Sequence, residues 1–197
     1  MRPLTTLAWL LCVLYSTIPT FWLIIHPRAE YWRSRRASPY KILLPLWIAM
    51  WIVVAAITAP WRHLTLFNGN QTLLPAAILF CCGLVLYLRS GAHFTLAQLG
   101  GLPEVLRTGR EQRLITTGLR ARVRHPVYLA HLCEMLAWSL ASALAVCWIL
   151  TAFAILTGAL MIKMEDDELE KRFGEPYSAY RRSVPALLPR MKPKLKL

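Results

Sequence analysis

RHPVY, residues 124–128, is the point at which a basic stretch of the chain meets an apolar one, and the fold is organised around it. The following residues, 127–162, are apolar for more than one membrane crossing, with a run of small residues near the middle. This pattern predicts a tight helical hairpin with two arms side by side. The second arm leads into the acidic run EDDE, residues 165–168. We therefore expect the two ends of the hairpin to form the halves of one site.

The composition of the chain indicates a membrane protein. Of its 197 residues, 56% are hydrophobic and 8 are Trp, which is too apolar for a soluble domain with one core. The net charge of +13 is typical of nucleic-acid-binding proteins, but here the basic residues alternate with apolar blocks too long for soluble helices. Anionic lipid is therefore the expected partner, and neither nucleic acid nor an obligatory protein partner is indicated.

The cysteines of the chain give no indication of a metal site. All lie within apolar runs, and none has the spacing of metal ligands. They are Cys12, Cys81, Cys82, Cys133 and Cys147. We interpret them as small core or membrane-facing residues, and we predict no bound metal.

Three further apolar spans precede the hairpin, at residues 4–25, 42–59 and 72–88. The first is about long enough to cross a hydrocarbon core of about 30 Å. It has only Arg2 as a positive start and no small-residue cleavage site, so we expect a permanent helix and not a signal peptide. Together with the two arms of the hairpin, these spans predict an all-α membrane protein with about five transmembrane helices.

The basic residues of the loops predict the orientation in the membrane. Residues 28–41 carry several Arg and one Glu, and residues 89–125 carry seven Arg and two Glu. The positive-inside bias places both loops in the cytosol, with the amino terminus outside and the carboxy terminus inside. We expect a single domain over residues 1–197, with a three-helix part at 1–90 and a part carrying the site at 91–197.

Ionisable groups within or beside a bilayer are costly, and the hairpin contains two of interest. His131 and Glu134 are three residues apart and share one face of the fourth span. They form either a hydrogen-bonded pair facing the bundle or a polar wall of a substrate cavity, and both are candidates for positioning a substrate.

The acidic run divides into two halves. In its second half, Asp167 and Glu168 each precede a basic residue by one helical turn, in the favourable acid-first order. The expected partners are Lys171 and Arg172. Glu165 and Asp166 have no such local partner, and adjacent carboxylates repel each other unless a cation lies against them. Three interpretations are open: a solvated helix segment, a ligand cation such as an amine or a sulfonium, or an arginine of the loop.

His125 lies at the start of the fourth span. Pro126 pushes the preceding residue out of the helical region and suits a first helical turn, so backbone N–H groups are available beside His125. The start of a helix favours carboxylates and polar ligand atoms. Tyr128, one turn on, adds a flat amphipathic ring. The sequence therefore predicts a polar ligand site at this point.

RLITTGLRARVRHPVY, residues 113–128, and EDDELEKRFGEPYSAYRRSVPALLP, residues 165–189, resemble the isoprenylcysteine carboxyl methyltransferase and phospholipid methyltransferase superfamily of integral membrane enzymes. The resemblance covers about the carboxy-terminal half of the chain. It implies S-adenosylmethionine as cofactor and methyl transfer to a lipophilic acceptor, with no metal. The cytosolic loop and a carboxy-terminal helical segment would form the cofactor site, because the glycines do not form a strand-to-helix fingerprint.

Carried over by position, the resemblance implies a set of cofactor-binding residues. The set combines a loop segment, the start of the fourth span and the first two acids of the acidic run. It comprises Gln112, Arg113, Leu114, Ile115, Arg120, His125, Pro126, Val127, Tyr128, Glu165 and Asp166.

Three positions depart from the family pattern. The second acid is Asp166 instead of Glu, and Arg120 stands where the carboxyl methyltransferases have Tyr. Met161 stands where they have an Arg that contacts the substrate, and only Lys163 lies nearby, as a third candidate for positioning a substrate. The missing Arg weakens the case for a carboxylate acceptor, so carboxylate, amine and thiol acceptors all stay open.

Two other functions are compatible with the sequence. A motif related to RHPVY occurs in membrane sterol reductases, which makes an NADPH-dependent reductase the enzymatic alternative. A non-enzymatic membrane scaffold or small transporter with the same fold is the other. We expect the methyltransferase, and because a sulfonium methyl group is already activated, we predict no obligatory catalytic base.

Overall fold

The computed structural model describes residues 3–34, 40–91 and 114–189. These ranges fold almost entirely into helices, joined in places by single 3-10 turns. The seven helices are α1 (Pro3–Ile25), α2 (Ala29–Ser34), α3 (Tyr40–Thr58), α4 (Leu73–Gly91), α5 (Pro126–Ser142), α6 (Ala145–Phe173) and α7 (Glu175–Ser183). The prediction of an all-α chain is confirmed for this part of the protein.

Four stretches, and not five, are long and apolar enough to cross a membrane within the described ranges. They are Pro3–Arg28, Tyr40–Trp61, Asn70–Ser90 and Ala145–Phe173. The fourth predicted span is α5, which has only 17 residues and a length of about 26 Å at 1.5 Å per residue. It is short because Pro126 begins it and the hairpin turn ends it at Ser142.

The tight hairpin predicted from the small residues is present between α5 and α6. Ala143 takes a left-handed conformation with φ 55°, and its N–H donates to Ser139 O at 3.0 Å. The loop before α4 covers the turn, since Leu66 N–H donates to Ala143 O and Ala145 N–H to Leu64 O, both at 2.9 Å. The backbone groups exposed by the turn are thereby satisfied.

Helix α1 lies at the centre of the bundle. It packs against α5 and α6 on one side and α3 on the other, whereas α4 packs along α5. Of the α1 span 44% is buried, against 6% of the α3 span and 11% of the α4 span. Indole N–H groups tie α3 to α1, from Trp9 to Thr58 Oγ1 at 2.9 Å and from Trp47 to Thr17 Oγ1 at 3.1 Å.

The cysteines are all free and occupy core or outer positions. Cys12 and Cys147 are buried between α1 and α6, Cys133 is half-buried, and Cys81 and Cys82 are exposed on α4. These positions agree with their interpretation as small core or membrane-facing residues.

The chain folds back at the far end of α6. Gly174, with φ 63° and ψ −141°, separates α6 from α7 in a conformation that side-chain-bearing residues rarely adopt. After α7, two backbone bonds join the chain to the start of α5: Arg124 N–H donates to Pro185 O at 2.9 Å and His125 N–H to Ala186 O at 3.0 Å. This pairing holds the start of α5 beside the end of α6.

Candidate functional site

The start of α5 and the acidic run of α6 meet at the carboxylate of Asp166. Arg124 donates to both of its oxygens, from Nε at 3.3 Å and from Nη2 at 2.6 Å. His125 Nε2 lies 2.9 Å from Oδ1, and the Tyr177 hydroxyl donates to the same oxygen. We call the cluster of Arg124, His125, Glu165, Asp166 and Tyr177 the hairpin base.

Arg124 links three parts of the chain at the hairpin base. Its side chain is 9% exposed, and besides Asp166 its guanidinium donates through Nη1 to the backbone oxygens of Arg181 and Val184. Of the interpretations left open for the acidic pair, a loop arginine is therefore the one that holds for Asp166. The Asp166 carboxylate is occupied by donors of the protein itself.

Glu165 is placed differently from its neighbour. Its Oε2 lies 3.4 Å from His125 Nδ1, without the alignment of a hydrogen bond, and has no hydrogen-bond partner among the described residues. The side chain keeps 20% of its surface exposed, against 4% for Asp166, but the Oε2 atom itself is buried. One buried carboxylate oxygen at the hairpin base is therefore left without a hydrogen bond from the described residues.

His125 carries a positive charge at neutral pH. Burial disfavours the imidazolium, but the carboxylates of Glu165 and Asp166 outweigh this effect and raise the pKa of His125 to about 9. The residue precedes α5 at φ −118° and ψ 65°, outside the helical region as the following proline predicts. His125 thus holds the acidic pair in place from the start of the helix.

The other acids of the run pair within the protein. Glu168 and Arg172 form the predicted pair one turn apart, at 2.5 Å. Asp167 contacts Arg181 of α7 at 3.1 Å, a contact that local spacing on one helix does not predict.

Three rings form a column along one face of α5. The ring centroids of His125 and Tyr128 are 5.4 Å apart at 11° between planes, and those of Tyr128 and His131 are 6.4 Å apart at 18°. Tyr15 of α1 and Tyr87 of α4 each pack a ring 5.3 Å from that of His131. The column leads from the hairpin base into the helix bundle.

A cavity of about 140 Å³ lies beside this column, between α1, α5 and α6. Tyr128 and His131 line one wall, and the rest is mostly apolar, including Pro19 and Met161. Ile155, which also lines the cavity, is 48% exposed. The cavity therefore lies between Tyr128, which stacks on His125, and the outer face of α6.

Of the three positioning candidates, only His131 lines this cavity. Glu134 is buried against α4, where a Cβ at Gly83 would lie 2.8 Å from its Oε1. Within the described ranges no hydrogen bond joins His131 to Glu134, so the polar-wall interpretation fits His131 and the hydrogen-bonded pair is absent. Lys163 is exposed on α6.

The predicted loop segment is described only in part. Gln112 and Arg113 lie outside the described residues. Leu114 packs against the aromatic cluster of α7, and Ile115 is half-buried. Of these two residues, Leu114 therefore contacts α7, the helix that carries Tyr177 of the hairpin base.

The remaining predicted residues surround the start of α5. Arg120 lies on the 3-10 turn Gly118–Ala121, and its backbone oxygen accepts a bond from the Tyr180 hydroxyl at 2.7 Å. Pro126 is buried in the first turn of α5, whereas Val127 is half-buried. These contacts fix the loop against α7.

Sequence reasoning missed two residues of the site. Arg124 belongs to the loop arginines that the sequence offered as partners of the acids, but Tyr177 was not predicted as a donor to Asp166, and its signal was a tyrosine following FGEP. His26 is buried near the hairpin base, and its signal was a second His-Pro pair at the end of an apolar span.

No group of His, Cys, Asp and Glu side chains in the described ranges is arranged to hold a metal ion. No protein-family model matches this chain, and no curated protein or solved structure is significantly similar to it.

Proposed function

We propose that this chain is an S-adenosylmethionine-dependent methyltransferase of the membrane that acts on a lipophilic acceptor, similar to the isoprenylcysteine carboxyl methyltransferase superfamily. One observation carries the proposal. A carboxylate oxygen of Glu165 without a hydrogen-bond partner among the described residues lies beside a charged imidazole, and an apolar cavity begins one helical turn away. A polar cofactor and an apolar acceptor could meet at this boundary.

The residues at the hairpin base fit the polar end of that cofactor. The cofactor supplies an activated methyl group on a sulfonium, and its amino-acid end carries an ammonium. Glu165 Oε2 would accept a hydrogen bond from the ammonium. His125 has Asp166 on Nε2 and Glu165 on Nδ1, so its role is to orient Glu165. The start of α5 beside Pro126 would favour a carboxylate.

The cavity fits the reacting end of a lipophilic acceptor. Its volume of about 140 Å³ is below the roughly 300–1,000 Å³ of pockets that enclose a whole small ligand. An acceptor bound there would extend past Ile155 into the lipid. Met161, 1% exposed, lines the cavity at the position of the family's arginine. An uncharged acceptor end fits this wall better than a carboxylate does.

Tyr128 lies at the boundary between the two parts of the site. It stacks on His125 and also lines the cavity. Transfer of an activated methyl group mainly requires alignment of the acceptor and exclusion of water. The ring of Tyr128 would serve both, and no residue is assigned as a base.

The charges of the loops support an orientation. Arg120, Arg122 and Arg124 lie at the same end of the bundle as the hairpin base, together with the basic residues of α7. We count α5 as a fifth crossing, because it runs beside α6 from the hairpin base to the turn at Ala143. The positive-inside bias then places this end and the carboxy terminus in the cytosol, with the amino terminus outside. The cofactor would then enter from the cytosol and the acceptor from the membrane.

A Glu165→Gln variant tests the cofactor site. We expect it to bind S-adenosylhomocysteine about ten-fold or more weakly than the unaltered protein, because a neutral amide forms a weaker bond to an ammonium. Isothermal titration calorimetry of the purified protein in detergent measures this. Glu175→Gln, at a side chain that is 75% exposed, is the matched control and should bind normally.

Equal affinity of the Glu165→Gln variant and the unaltered protein would contradict the assignment. Thermal unfolding with different ligands separates the functions. Stabilisation by S-adenosylhomocysteine supports the methyltransferase, stabilisation by NADPH the reductase, and stabilisation by neither the scaffold or transporter.

A further inference from the structure

His26 is a buried imidazole without a hydrogen-bond partner on either ring nitrogen, among the residues that the structure describes. The residue is 4% exposed and lies on the 3-10 turn His26–Arg28 that follows α1. Leaving a buried polar group without a partner costs about 1–3 kcal/mol. A ligand that bonds to the ring would remove this cost.

The ring of His26 is held in a defined position. It stacks on Trp22, with ring centroids 5.3 Å apart and 26° between planes. The next residue is Pro27, whose ring restricts the backbone of the turn. A side chain with this restraint loses little conformational entropy when it binds a ligand, as a binding residue should.

The turn brings His26 to the hairpin base. It packs against α6, and His26 is close enough to Glu165, Glu168 and His125 for electrostatic interaction. Glu165 therefore has two imidazoles near it, one from the start of α5 and one from the end of α1. Both His26 and Glu165 Oε2 are buried there without hydrogen-bond partners in the described part of the chain.

The two groups together select a kind of ligand. A neutral imidazole offers one donor and one acceptor, and a carboxylate offers acceptors only. A ligand group that satisfies both needs N–H donors for Glu165 and an acceptor for the imidazole N–H. An ammonium next to a carboxylate, as at the end of an amino acid, has this combination.

We propose that His26 is a further cofactor-binding residue, which contacts the amino-acid end of S-adenosylmethionine together with Glu165. This inference rests on the proposed function. It extends the site to the end of α1, which lies outside the stretches that resemble the methyltransferase superfamily. The central helix of the bundle is thereby part of the cofactor site and not only a support for the hairpin.

The test uses the full chain in detergent and two substitutions. His26→Phe keeps a flat aromatic ring for stacking on Trp22, although a slightly larger one, and removes both nitrogens. His26→Gln keeps one donor and one acceptor. Binding of S-adenosylhomocysteine is measured by calorimetry, and the unfolding temperature is measured without ligand. His63→Phe and His63→Gln, at an exposed position of the loop before α4, are the matched controls.

We expect His26→Phe to raise the Kd about ten-fold, the effect of about one hydrogen bond, and His26→Gln to raise it less. Without ligand, His26→Phe should unfold at the same or a higher temperature, because it removes unpaired buried polar atoms. A purely structural histidine would instead lower this temperature. Both controls should bind and unfold like the unaltered protein.

Two results would overturn the inference alone: an unchanged Kd in both His26 variants, as expected if only water meets the ring, or a lower ligand-free unfolding temperature in both. Failure of the unaltered protein to bind S-adenosylhomocysteine is a different result. It would contradict the proposed function, and the inference about His26 would fall with it.

Discussion

The hairpin base and the contact between α4 and α5 hold the same helix by different means. At the base, Arg124 and His125 reach Asp166 through directed bonds between charged groups. Halfway along α5, Gly83 of α4 leaves room for the side chain of Glu134. Directed bonds between charged groups hold the start of α5, whereas close packing against α4 holds its side. Apolar surface between membrane helices gives little preference of its own, so both devices are needed.

Arg124→Met should have the largest effect, because it removes two bonds to the 3% exposed Asp166 and two bonds to the backbone oxygens of Arg181 and Val184. We expect a loss of about 3–5 kcal/mol in the free energy of unfolding, measured by denaturant titration in detergent. Arg182→Met breaks a pair whose side chains are 67% and 75% exposed and should change stability little. Similar losses of unfolding free energy in both variants would show that the buried ion pair of the hairpin base contributes no more than an exposed pair.

His125 should make the stability of the hairpin base depend on pH. Its pKa is raised from 6.5 to about 9 in the folded protein, so its contribution is complete below pH 6.5 and is lost as the pH rises through about 9. The loss should be roughly 1.5–3 kcal/mol, the range for hydrogen bonds to charged groups.

The measurement for His125 is the difference in unfolding free energy between the unaltered protein and His125→Asn, from pH 6 to 10. Groups that titrate in both proteins cancel in this difference, which should shrink as the pH rises. His63→Asn should give no such trend. A difference for His125→Asn that does not change with pH would mean that the imidazole stabilises the protein by packing, as Gly83 does, and not by its charge.

Gly83→Ala should have the smallest effect. The added Cβ would lie 2.8 Å from Glu134 Oε1 and 3.2 Å from the backbone oxygen of Ala130. The end of the Glu134 side chain must therefore shift and α4 and α5 must separate slightly, at a cost of about 1–2 kcal/mol. Gly158→Ala on α6 meets only Pro19 Cγ, at 4.0 Å, and should cost nothing. An equal decrease in the unfolding temperature of both variants would show that close approach of the helices at Gly83 does not contribute to stability.

The boundaries of the long helices could be predicted from the sequence. The first predicted span, residues 4–25, corresponds to α1, and the third, residues 72–88, corresponds to α4. The fourth span was predicted as a full crossing, but α5 has 17 residues. Apolar residues continue through the hairpin turn, so hydrophobicity alone does not locate the turn at Ala143.

Local spacing predicted the contacts of the acidic run only in part, although the meeting of the two ends of the hairpin was predicted. The pair of Glu168 and Arg172 follows from a spacing of one turn. The spacing also predicts a pair of Asp167 with Lys171, which is absent from the described part of the chain. Asp167 pairs with Arg181 because α7 folds back after Gly174, and no local rule contains that reversal.

The sequence by itself determined the extent of α1 and α4 and the start of α5, because apolar runs and Pro126 act through the local backbone. Only the tertiary structure decided the roles of Glu165 and Asp166. Adjacent residues on a helix point about 100° apart, so the same pair of acids meets different neighbours. Asp166 meets the donors of the loop and α7, and Glu165 keeps an oxygen without a partner among the described residues.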